Sequence, residues 1–166
     1  ALADRAGTAL DAGAIGKGIA LDAMARALKA SGASSLWLDF GGSSQLGWSE
    51  GRRPRTIVVA GLATGVVHGT LEVGDAAVST SRTAASREEG PILDPRTGQA
   101  IAERRLATVL ATDATTADAW STALVVLGRD GIAKARAAGC EVLFEDDEGL
   151  VVSPGFWSGQ APRRVR

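Results

Sequence analysis

Two stretches with helical spacing bracket a run of short β-prone segments, and that order of elements leaves few ways to bury one core. Residues 19–30 place Leu21, Met24, Ala25 and Leu28 on one helical face, and Ser31-Gly32 closes the stretch. A second helix is expected from a cap at Thr115 or Thr116 through Leu127, stopped at Gly128, followed by a shorter one from Asp130 to Ala138. Residues 35–40, 56–60, 66–73, 76–80 and 106–112 read as strands separated by Gly, Pro and Asp turn residues. Residues 141–145 and 149–153 read as a hairpin around a solvated acidic turn, Asp146-Asp147-Glu148. Strand runs interrupted by clustered helices predict an α+β fold, an antiparallel sheet with packed helices, over a regularly alternating parallel sheet.

Three blocks carry polar chemistry on this scaffold. In Thr116-Ala117-Asp118-Ala119-Trp120-Ser121-Thr122, the Asp118 carboxylate and the Thr122 hydroxyl stand four residues apart on one helical face. Such a pair offers two hard oxygen donors to Mg²⁺; an Asp near a helix start also serves as a cap or dipole partner. The segment Asp11-Ala12-Gly13-Ala14-Ile15-Gly16-Lys17-Gly18 runs into the first helical pattern. Its glycines admit close approach of a phosphate, Lys17 adds a point charge, and the spacing matches neither the dinucleotide fingerprint nor Walker A. Asp22 lies where it can pair with Lys17, cap locally, or accept a hydrogen bond from a ribose or adenine group. In Asp94-Pro95-Arg96-Thr97-Gly98, proline and glycine set the dihedrals of a stiff turn presenting three polar side chains.

Other classes of function fall away. The formal net charge is −1 and the arginine pairs are scattered, so no nucleic-acid footprint emerges. The lone Cys140 rules out an internal disulfide and reads as a buried small hydrophobe. His68, the only histidine, sits in a strand-like segment away from all three blocks, so no Ser–His–Asp or Cys–His set assembles around it. No stretch approaches the ~18 continuous apolar residues of a membrane span; no signal peptide opens the sequence, which, beginning at Ala1 and not at Met, reads only as a mature or trimmed product.

Taken in order, the three blocks resemble the FAD:protein FMN transferase (ApbE) family, with the likeness running from Asp11 to about Val152 and corresponding to the C-terminal portion of a family member. The resemblance implies an ApbE-like, T-fold-type domain over residues 1–153, alone or as part of a larger unit, with an irregular tail at 154–166. It implies Mg²⁺-dependent cleavage of FAD and attachment of FMN by a phosphoester to a threonine of a target flavoprotein. Lys17 then contacts FAD, the Ala14 carbonyl joins Asp118 and Thr122 as metal ligands, and Asp22, Gly41, Gly42, Asp94, Arg96 and Thr97 fall where the family builds its FAD pocket. Lys17, Asp118 and Thr122 are the catalytic set. An extracytoplasmic location and an additional N-terminal portion also follow from the likeness.

Three positions depart from the family pattern. Pro91 stands where the family has a histidine three residues before the aspartate of the Asp-Pro block. Ser43 follows the glycine pair in place of an acidic or amide residue, and the expected serine-glycine element reads Ser79-Thr80-Ser81-Arg82. The alternative these departures raise is a non-catalytic FAD-binding or flavin-storage homologue. A scaffold that has lost ligand binding altogether is disfavoured by the retention of Lys17, Asp118 and Thr122.

Overall fold

The elements run α1 (Gly16–Ala30), β1 (Ser35–Phe40), β2 (Ser44–Ser49), β3 (Arg55–Ala60), β4 (Val67–Val73), β5 (Ala76–Arg82), β6 (Arg105–Ala111), α2 (Ala114–Leu127), α3 (Ile132–Ala137), β7 (Glu141–Asp146) and β8 (Gly149–Val152). They come from a computed structural model that describes residues 11–49, 54–83 and 91–159. A six-stranded sheet has the order β1-β2-β5-β6-β7-β8 with antiparallel neighbours throughout, and β3 and β4 pair as a separate hairpin. The architecture is α+β, as the pattern of elements predicts.

Period-two alternation splits the sheet's side chains between two cores. Leu46, Ala77, Ala107, Val109, Ala111, Val142 and Phe144 meet Leu21 and Ala25 of α1 and Ala117, Leu124 and Val125 of α2. On the opposite face, Val78, Leu106, Leu110 and Leu143 meet Val59, Leu71 and Val73 of the β3–β4 hairpin. The many alanines on the helical side let α1 and α2 lie close to the strands and to each other. Among the described residues, no helix is long and apolar enough to cross a membrane.

Five local expectations need correction. Helix α1 begins at Gly16, three residues before the helical pattern that the sequence shows from residue 19, so the glycine block is a turn over residues 13–15 and then the first helical turn. The cap of α2 is Asp113, whose carboxylate accepts from Thr116 N at 2.7 Å; Thr115 instead donates to Asp22. Strand β2 escapes the sequence pattern because Gly47 interrupts it, yet glycine is required there: a Cβ would come within 2.5 Å of the Gly74 carbonyl. Asp146 of the acidic turn is not simply solvated, since Arg129 forks onto both its oxygens at 2.6 and 2.9 Å. The start of the expected irregular tail also packs inward: residues 156–158 form a short 3₁₀ turn with Phe156 fully buried and Trp157 edge-on to it.

The joint between α1 and α2 depends on Gly18. A Cβ there would lie 2.4 Å from the Ala114 carbonyl oxygen and 2.7 Å from Thr115 Cα, both backbone atoms that cannot swing aside. Gly18→Ala gains about 1 kcal/mol of helix propensity, but overpacking costs about 1–3 kcal/mol even where side chains can adjust. Here the obstacle is main chain, so the substitution is expected to lower stability by about 2 kcal/mol or more. Urea unfolding measures it; an unchanged midpoint would mean that the two helices are not held at this separation.

Candidate functional site

Asp118 is the centre of the polar architecture. It lies on α2 with 1% of its side chain exposed, a state that demands compensation because an unpaired buried carboxylate is costly. Oδ2 accepts from the backbone N–H of Gly18 at 3.0 Å. Oδ1 accepts from Ser79 Oγ at 3.2 Å and Ser44 Oγ at 3.4 Å, and Lys17 Nζ lies 3.4 Å from the same oxygen. The first turn of α1 therefore brings both a free helical N–H and an ammonium to one carboxylate, and Gly18 is the residue whose missing side chain permits that approach.

Thr122 stands one helical turn further along α2, and its hydroxyl pairs with Ser81 Oγ at 3.0 Å. Ser81 also pairs with Ser121 at 2.8 Å, while Ser121 reaches Ser79 at 3.3 Å and Ser79 reaches Ser44 at 3.0 Å. A continuous chain of hydroxyls thus links Thr122 to Asp118. Sequence reasoning missed Ser44, Ser79 and Ser121 as parts of this site. The available signal was the alternation of Ser79 and Ser81 in β5, which puts both on the helical face, but their meeting with α2 is a tertiary fact.

The other anticipated residues divide into groups. Asp22 accepts from Ala114 N and Thr115 N, each at 2.9 Å, so both its oxygens are engaged at the N-terminus of α2, where the helix dipole favours a negative charge. Gly41 and Gly42 have φ of 66° and 72° and turn β1 into β2, with Gly42 N donating to Asp39 at 2.7 Å. That turn leads directly into Ser44, and Ser43 accepts from Thr80 N, so the glycine pair borders the hydroxyl cluster. Ala14 is exposed in the turn before α1.

Asp94, Arg96 and Thr97 form the stiff turn expected of them. Gly98 N donates to the Asp94 carbonyl at 2.7 Å, Gly98 takes φ 71°, and Leu93 bridges Ala100. Arg96 holds Asp94 through Nε and Nη2, and this pairing lowers the Asp94 carboxyl to about 2. Because the folded value lies below the ordinary one of 3.8, whatever the pair contributes is present above that value and lost only as pH falls through about 2. The bonds of these three side chains stay within the turn and Gln99. Pro91, at the head of this segment, is exposed. His68 pairs with Glu145 at 2.8 Å between β4 and β7, away from Asp118, in the structural role expected of it.

A cavity of about 360 Å³ opens between the main sheet and β3, lined in part by Trp37, Asp39, Gly42, Arg55, Thr80 and Thr108. Thr80 lies between Ser79 and Ser81 in β5, so this cavity occupies the opposite face of the sheet from Asp118. Gly42 lines it, two residues before Ser44.

Among the described residues there is no cluster of three His, Cys, Asp or Glu side chains suited to a metal. A cation at Asp118 would draw on one carboxylate, hydroxyl and carbonyl oxygens, water and the ligand's own phosphates. That hard, oxygen-only donor set fits Mg²⁺, which keeps several waters and dispenses with an all-protein cage.

A family model, that of the ApbE family, matches residues 2–144. Among solved structures, the ApbE protein of Thermotoga maritima superposes with a TM-score of 0.76 at 27% identity, covering 89% of this chain and 52% of that one. A histidine-to-glycine variant of the flavin transferase ApbE from Vibrio cholerae gives 0.71 at 30% identity, covering 91% and 50%. The apo form of the flavinyl transferase ApbE from Pseudomonas stutzeri gives 0.71 at 29%, covering 91% and 52%. The chain spans about half the length of each of these proteins. No curated protein sequence matches it.

Proposed function

Because this chain belongs to the ApbE family, we propose that it carries the metal- and diphosphate-binding half of a Mg²⁺-dependent FAD:protein FMN transferase site. The observation that carries the reading is the buried Asp118 carboxylate, joined to Lys17, the start of α1 and a chain of hydroxyls ending at Thr122. Asp118, Thr122 and the Ala14 carbonyl would hold the cation. Bound there, Mg²⁺ supplies charge neutralisation across the diphosphate oxygens.

The remaining work falls to the chain's own groups. Lys17 and the turn leading into α1 orient the diphosphate, the Gly41-Gly42 turn admits it closely, and the Asp94–Arg96–Thr97 platform presents donors to the rest of FAD. In the reaction, the acceptor threonine oxygen forms a bond to the FMN phosphorus and gives up its proton to solvent water. The bridging P–O bond breaks with its electron pair on AMP, which leaves.

Pro91 favours a second reading. At the position of the family's histidine it can neither accept nor donate a proton, which suits a homologue that binds FAD and turns it over slowly. Both readings require FAD binding strengthened by Mg²⁺. The chain has four tryptophans, so FAD titration with and without Mg²⁺ by tryptophan quenching tests them. Saturable quenching with a lower midpoint in Mg²⁺ is the expected result, and a featureless titration in both conditions would remove the flavin assignment from this polypeptide.

A further inference from the structure

Asp118 Oδ1 is crowded: it takes two neutral hydroxyls and one ammonium, while Oδ2 is committed to the backbone of Gly18. The partners differ in how easily they leave. Ser44, Ser79 and Gly18 N are buried and fixed by the sheet and the helix. Lys17 keeps 33% of its side chain exposed on a four-carbon stem at the mouth of the site. Among the described residues it is the one ion-pair partner of this buried carboxylate.

From this geometry we propose that Lys17 is the built-in counter-cation of Asp118, competing with the divalent ion for the carboxylate. Its ammonium compensates the buried charge while the metal is absent, swings outward when the metal arrives, and is thereby released to an anionic diphosphate. The inference rests on the cation reading of the preceding subsection and adds a linkage to it. Two positive groups cannot share Oδ1 without mutual repulsion, so removing the lysine favours the metal. Adding a diphosphate in the intact protein does the same, because the anion draws the ammonium away. Metal and FAD affinities must then rise together, by reciprocity.

The test uses Mn²⁺ as the probe, titrated by calorimetry into wild type and Lys17→Gln, each with and without FAD. Without FAD, the variant is expected to bind Mn²⁺ about tenfold tighter than wild type, within the 5–150-fold range usual for coupled sites. The gain in Mn²⁺ affinity on adding FAD should shrink in the variant. Equal or weaker Mn²⁺ binding by a folded variant overturns the competition while leaving the metal site in place. Should the variant not fold, the wild type suffices: mild amine acylation read by peptide mass spectrometry should label Lys17 several-fold faster in saturating Mg²⁺. Labelling that stays constant while Mg²⁺ demonstrably binds overturns the proposal. A wild type that binds neither Mn²⁺ nor FAD defeats the cation reading itself, and the linkage with it.

Discussion

Asp118→Asn is expected to lower Mg²⁺-dependent FMN transfer by about 10³-fold or more, because a positioned metal stabilises developing phosphate charge by several kcal/mol and each 1.36 kcal/mol is tenfold in rate. The amide preserves shape and one acceptor oxygen, so Gly18 N keeps a partner and the α1–α2 joint survives. What disappears is the full negative charge. Lys17 then loses its ion pair but stays one-third exposed, so water can take over at modest cost. Thr122→Ala should weaken the metal less, because it removes a dipole and leaves Ser81 bonded to Ser121. Calorimetry of Mg²⁺ in the presence of FAD separates the two, with near-ultraviolet circular dichroism to verify folding. Unchanged metal affinity in the Asp118 variant would reduce the residue to a structural clamp between helices.

The contrast between Asp118 and Asp22 shows what periodicity conveys and what it omits. Spacing alone places Asp118 and Thr122 on one face of a helix, and the structure keeps them there, joined through Ser81, Ser121 and Ser79. From the sequence Asp22 reads as a lysine partner, local cap or ligand contact, whereas it caps a helix ninety-odd residues away. No local pattern encodes that, since the N–H groups it satisfies belong to a segment that arrives only on folding. Likewise, Gly128 is legible as a helix stop because its φ of 66° meets a local need. Gly18 and Gly47 are glycine for the sake of distant carbonyls, at Ala114 and Gly74. Strand β1 follows from its own apolar and aromatic residues, while β2 depends on neighbours that tolerate its interruption. Local chemistry was readable, and close approach between separated segments was not.

The same distinction makes Pro91→His the informative gain-of-function change. Position 91 is exposed, and the segment behind it is anchored: Ile101 N donates to the Ile92 carbonyl at 2.9 Å, Leu93 bridges Ala100, and Ile92 packs against the helical-side core. An imidazole there is carried on a fixed stem and adds a proton acceptor without disturbing buried groups. General acid–base assistance is worth about 10²–10⁴ in rate, so transfer of FMN to a threonine-bearing acceptor should rise by a factor in that range while FAD affinity stays nearly constant. The rise should follow deprotonation of the imidazole, appearing as pH passes through about 6.5 and absent from wild type. Single-turnover assays across pH, with FAD saturating, isolate the chemical step from binding. A wild type already fully active, unimproved by histidine, would place the proton acceptor elsewhere: on the acceptor protein, or on water held at Asp118 and Thr122 by the cation.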